Sequence, residues 1–253
     1  MGLQALIFDV DGTLAETAEI HRAAFNQAFD EFQIGWRWDR RTYSYLMNMT
    51  NDIEMLRGFD RMSARKVRHG VVSDEALRQI ALRKMQVYLA MLADGTAYLR
   101  PGVSRLIDEA RRDHITLGIV STRPKIEFEM LVTNTLGFEA LSLFDSVRTA
   151  DDCRLAVDAY QLVLADLGVT PRNSVAIDDA ESGIRDASAC GINTIATPGI
   201  YTSSGRFDGA GIVISDLGQP AQPYNIIMGN AEGRGYISAQ YLRKIVGETQ
   251  AAA

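Results

Sequence analysis

The apolar positions of the chain follow two rhythms. Residues 4–10 hold a short apolar run, Ala5-Leu6-Ile7-Phe8, that ends in aspartates. A buried parallel strand looks like this when polar work begins at its C-terminal end. From Glu16 to about Leu92 the period turns helical. Phe25, Phe29 and Phe32 recur at i, i+4 and i+7, and Leu77, Ile80, Ala81, Tyr88 and Leu92 mark a second helix. Ser73-Asp74-Glu75 reads as its N-cap and acidic first turn. The interval predicts no strand.

At Arg100-Pro101-Gly102 the rhythm changes again. The pattern predicts a helix over about 103–113, a strand over 116–120 and a helix from Lys125. A short strand near 144–147, a helix over 155–167 and a strand over 174–177 follow. A helix over 181–190 and a strand over 193–196 complete the series. Short apolar strands alternating with helices predict a parallel sheet with covering helices. The fold class is therefore α/β: a Rossmann-like parallel sheet core, residues 1–15 and 96–218, with an α-helical insert over 16–95. Beyond Gly218, Gln219-Pro220-Ala221-Gln222-Pro223 reads as a linker. Ile237, Tyr241, Leu242, Ile245 and Val246 predict a short amphipathic helix, packed on the core or on a second subunit. Residues 247–253 are expected to lack fixed structure.

Composition narrows the setting. The 253 residues are 47% hydrophobic and carry a net charge of -6 without a basic run, which argues against nucleic acid as a partner. Two cysteines, Cys153 and Cys190, cannot build a disulfide framework. The N-terminus lacks a signal-peptide pattern, and no apolar run reaches the roughly 18 residues of a membrane span. A cytoplasmic protein without membrane partners is expected, as a monomer or small homo-oligomer.

Three segments carry candidate chemistry. In Asp9-Val10-Asp11-Gly12-Thr13, two carboxylates stand where a strand ends, so the chain can curl and turn both to one opening. A carboxylate there can attack phosphorus, and a neighbouring acid can protonate a leaving group and then activate water. Ser121-Thr122 follows the run 116–120 and offers hydroxyls to a phosphoryl oxygen. Asp178-Asp179 follows the run 174–177; adjacent acids suit a hard cation such as Mg2+.

With these motifs the chain resembles the haloacid dehalogenase (HAD) superfamily, in the subgroup with a helical cap inserted after the first strand. Thr17 to Phe25, Leu99-Arg100-Pro101-Gly102 and Pro198-Gly199-Ile200-Tyr201-Thr202 make it most similar to the CbbY-like sugar-phosphate phosphatases and, more distantly, the β-phosphoglucomutases. The resemblance implies a Mg2+-dependent phosphatase acting on a small phosphorylated metabolite, with a phosphomutase or a catalytically impaired binding protein as alternatives. It implies Asp9 as nucleophile and Asp11 as general acid and base. Asp9, Asp11 (by its backbone carbonyl), Asp178 and Asp179 are the implied metal ligands. Ser121 would hold a transferring oxygen, Thr13 would help place the general acid, and His21 and Thr122 would serve substrate binding. The family's lysine before a later helix has no counterpart among Lys66, Lys84, Lys125 and Lys244. Arg154 is the nearest stand-in, and Arg123 and Lys125, just past Ser121, are further candidates for phosphate contact. Relatives carry a glycine-containing specificity loop near 50–55, where this chain has Met49-Thr50-Asn51-Asp52-Ile53-Glu54.

Overall fold

The computed structural model describes residues 2–64, 72–153, 156–230 and 235–251. The chain divides into two compact units, Thr17–Thr96 and the remainder, Met1–Glu16 with Ala97–Ala253.

The larger unit is built on a mostly parallel sheet. Its strands are β1 (Ala5–Phe8), β2 (Thr116–Val120), β3 (Ser146–Arg148), β4 (Ser174–Asp178), β5 (Asn193–Ala196), β6 (Ile212–Ile214) and β7 (Ile226–Met228), in the order β3-β2-β1-β4-β5-β6-β7. Only β7 runs antiparallel, against β6. Every residue of β1 and β4 is buried, which is why both read as continuous apolar runs rather than as alternation. Helices α5 (Val103–Arg112), α6 (Lys125–Leu136), α7 (Ala156–Leu167) and α8 (Glu181–Ala189) cover it. One packed region joins Ile7, Val120, Tyr160, Val163 and Ala176 across β1, β2, β4 and α7.

Register places the chemistry. Phe8 stands opposite Ile119 on one side and Ile177 on the other. The residues that follow each strand therefore emerge at one level of the sheet's C-terminal edge, where α/β folds bind ligands. The chain leaves and re-enters this unit through Ala15 and Leu99, joined in an antiparallel bridge, and Arg100 N–H donates to Leu14 C=O at 2.8 Å.

The helical unit contains α1 (Ala18–Glu31), α2 (Arg40–Leu46), α3 (Asp52–Ala64) and α4 (Asp74–Ala93), and no strand among the described residues. Ser73 caps α4 by accepting from Ala76 N–H. Phe25 and Phe29 are buried against Trp38, with ring centroids 4.4 and 5.0 Å away. Such pairs contribute about 0.5–1.5 kcal/mol each beyond the area they bury. Phe32 departs from the expected apolar stripe: α1 has ended, and the side chain is exposed.

The tail also departs from expectation. Residues 226–228, which fall in the predicted extension, add the edge strand β7. A helix, α9 (Ala239–Ala251), packs on α5, with Ile237, Leu242 and Val246 fully buried. It runs past residue 246, beyond which fixed structure was not expected, and Lys244 and Glu248 form an i,i+4 ion pair at 3.6 Å along it. Residues 252–253 lie outside the described residues. No helix among the described residues is long and apolar enough to cross a membrane.

Candidate active site

Asp9 follows β1, Asp178 ends β4 and Asp179 comes next. Each contributes one carboxylate oxygen to a group whose members lie within 4.8 Å of one another. The Asp178 carboxylate is held from two sides: Ala180 N–H donates to Oδ1 at 2.8 Å, and the buried Tyr160 hydroxyl, from α7, donates to Oδ2 at 3.1 Å. Thr202 Oγ1 donates to Asp179 Oδ2 at 2.8 Å.

Two glycines make room for these acids. A Cβ on Gly183 would fall on the Asp178 carboxylate, and one on Gly12 would fall on that of Asp179. Gly12 also has φ of +83°, a conformation that other residues adopt only with strain. Gly12 is thus fixed by backbone geometry and by space together.

Charge is concentrated. Burial, then the neighbouring charges of Asp178, Asp179 and Asp11, hold the Asp9 carboxyl well above the usual carboxylate range. Asp178 is pushed up to about 6, chiefly by burial. Burial and the Asp178 charge raise Asp179, against the Thr202 hydrogen bond and the Arg100 charge, which lower it. Arg100 is buried and ties three loops by donating to the carbonyls of Gly12, Thr197 and Ser215, with its Nε 3.6 Å from Glu16.

The other sequence-predicted residues fall as follows. The Asp11 carboxylate is not one of the three grouped acids; its Oδ2 lies 3.5 Å from Arg123 Nε. Ser121 is buried, its N–H donating to Arg148 C=O at 2.9 Å and its Oγ accepting from Arg123 N–H at 3.1 Å. Thr13 is buried and, among the described residues, its hydroxyl has no hydrogen-bond partner. Thr122 is exposed. His21 is buried in the helical unit, stacked on Tyr88 with ring centroids 3.8 Å apart. In the same unit Asp52 pairs with the fully buried Lys84 at 2.8 Å, and Glu54 with Arg57 at 2.7 Å, so both acids of segment 49–54 have cationic partners. Arg154 lies outside the described residues.

The model for haloacid dehalogenase-like hydrolases matches residues 6–197, and all three clustered acids lie inside that span. The chain belongs to the haloacid dehalogenase-like hydrolases. It is 36% identical over 213 residues to CbbY of Cereibacter sphaeroides, covering 82% of this chain and 90% of that one. β-Phosphoglucomutase of Bacillus subtilis is 25% identical over 198 residues, 75% of this chain and 81% of that one. The crystal structure of Rhodobacter sphaeroides CbbY in complex with phosphate superposes with a TM-score of 0.76 at 34% identity, over 85% of this chain and 94% of that one. A mutant of that protein crystallised with xylulose 1,5-bisphosphate gives the same values. These matches agree with the family and the α/β fold that the motifs imply.

Within this HAD-like site, the sequence motifs miss three supporting residues: Tyr160, Thr202 and Arg100. Thr202 and Arg100 lie in segments that carried the resemblance, but nothing in them names their partners. Tyr160 reads as one more apolar position of a helix.

The acidic group fits a divalent cation on its own chemistry. Three converging carboxylate oxygens are the donors a hard ion takes, and their mutual repulsion is what such an ion relieves. Tyr160→Phe removes one of the donors that orient Asp178. Its expected effect is about a tenfold loss of Mg2+ affinity, with the fold retained, as is typical when an outer-sphere partner of a ligand is lost. Calorimetric titration with Mg2+ checks it.

Proposed function

We propose that this protein, a phosphatase of the HAD-like family, hydrolyses a small sugar phosphate through an aspartyl-phosphate at Asp9 with Mg2+ as its cofactor. The observation that carries the reading is the grouping of Asp9, Asp178 and Asp179 at the ends of adjacent strands. Asp9, Asp178, Asp179 and the Asp11 carbonyl would hold the ion, which supplies charge neutralisation where an anionic substrate meets several carboxylates.

The chain's own residues do the rest. An Asp9 carboxylate oxygen attacks phosphorus, the bond from phosphorus to the sugar oxygen breaks, and Asp11 gives that oxygen a proton. Asp11 then takes a proton from water as the water attacks the aspartyl phosphate. The bond between phosphorus and Asp9 breaks, and free phosphate leaves. Ser121, at the end of β2, holds a phosphoryl oxygen, with Thr122 beside it for substrate. Arg154 takes the place of the family's lysine in screening the phosphate. Thr13 supports the turn that carries Asp11, and His21 keeps its proposed role in substrate binding. Similarity to a protein crystallised with xylulose 1,5-bisphosphate supports a sugar phosphate as substrate class.

Phosphate release from sugar phosphates, with and without Mg2+, tests the reading. Activity is expected to vanish with a chelator and return with added Mg2+. Mg2+ at 100 times its Kd is expected to add about 2.7 kcal/mol of stability, read as a rise in Tm. Turnover without phosphate release would indicate a mutase instead. Release unaffected by chelation would contradict the metal's role.

A further inference from the structure

We propose that Arg123 is a positioning residue for the Asp11 carboxylate rather than a phosphate ligand. The inference rests on the reading of Asp11 as general acid. Arg123 Nε lies 3.5 Å from Asp11 Oδ2, and both side chains are three-quarters or more buried, at 18% and 25% exposure. That separation is an ion pair, longer than a normal hydrogen bond, and the contact constrains where the carboxylate sits.

The arginine starts from a pinned backbone. Its N–H donates to Ser121 Oγ at 3.1 Å, and its carbonyl accepts from Ala150 N–H at 3.1 Å. Pro124 follows and disfavours the helical region for Arg123. The next residue is tied to the same neighbouring loop, Lys125 N–H donating to Asp151 at 2.8 Å. A long side chain leaving such an anchor has a defined reach.

Asp11 needs that constraint. It stands past the end of β1, on the turn closed by Gly12 N–H to Ala15 C=O at 2.8 Å. The grouped carboxylates of Asp9, Asp178 and Asp179 repel its charge. The guanidinium on β2's loop pulls the other way and holds the carboxylate at the mouth between β1 and β2. There the proton passes from Asp11 to the sugar oxygen as that oxygen separates from phosphorus.

The test uses the leaving group. The ratio kcat/KM reports steps up to transfer onto Asp9, so hydrolysis of the aspartyl phosphate does not enter. A sugar phosphate such as xylulose 1,5-bisphosphate needs a proton on its leaving oxygen; p-nitrophenyl phosphate does not. Arg123→Ala and Asp11→Asn are compared on both substrates in the full-length protein with Mg2+. Both variants are expected to lose about 100-fold or more in kcat/KM on the sugar phosphate and less than about 5-fold on the aryl phosphate, with Arg123→Lys in between. Thermal melts establish that each variant is folded. An equal loss on both substrates in Arg123→Ala, or no loss on either, overturns the inference and leaves the general-acid reading standing if Asp11→Asn still discriminates. An equal loss on both substrates in Asp11→Asn overturns the general-acid reading and this inference with it.

Discussion

Asp9→Asn is expected to lower turnover by about four to six orders of magnitude while raising the stability of the metal-free protein. The first effect follows from the proposed nucleophile: an amide does not attack phosphorus. The second follows from electrostatics. The Asp9 carboxyl is held well above the usual range by burial and by the charges of Asp178, Asp179 and Asp11. A group raised in this way binds its proton more tightly in the folded chain than in the unfolded one. Its cost is absent at low pH, grows as pH rises past the ordinary 3.8, and is complete above the raised folded value. For Asp178 that window runs from 3.8 to about 6. At neutral pH, above the ordinary 3.8, the metal-free site therefore carries some or all of that cost, and the neutral amide relieves it. Melting curves without metal should place Asp9→Asn above wild type, by roughly 2–4 °C for each kcal/mol relieved. A Tm at or below that of wild type would mean the carboxylates are not in conflict.

Gly12→Ala is also expected to damage activity, without touching a reactive group. At φ of +83° an alanine is strained, and its Cβ would meet the Asp179 carboxylate. Either the turn moves, carrying Asp11 with it, or Asp179 leaves the acidic group. The expected result is a loss of about 100-fold or more in kcat/KM and of about 1–3 kcal/mol in stability. Activity assays and chemical denaturation of the purified variant measure the two effects. Wild-type activity would show that neither the turn nor Asp179 needs its place.

The fold was legible where burial was complete. β1 and β4 are buried at every residue, and the apolar stretches within them and within β2 stand out because helices cover the sheet they share. β7 was not legible: Ile226, Ile227 and Met228 are all exposed, and three residues show no period. The acids Asp9, Asp178 and Asp179 stood out because each ends an apolar run, and strand register then brings them together. What orients them left no such trace. Arg100 acts on backbone carbonyls, which have no sequence signature. Tyr160 meets Asp178 only because α7 packs over β4's neighbourhood, and its spacing in the helix is that of a core residue. The pairing of Asp52 with Lys84 joins residues 32 apart, so the Asp52 charge in segment 49–54 is answered within its own unit by a partner that the local sequence does not show.

Trapping the reaction in acid during turnover, then mapping the phosphoryl group by mass spectrometry, addresses the account most directly. It predicts one phosphoryl group on Asp9, formed in the presence of Mg2+ and absent when the ion is chelated or when Asp179 is replaced by asparagine. A phosphoryl group on another residue, or phosphorylated Asp9 at undiminished level without a divalent ion, would contradict it.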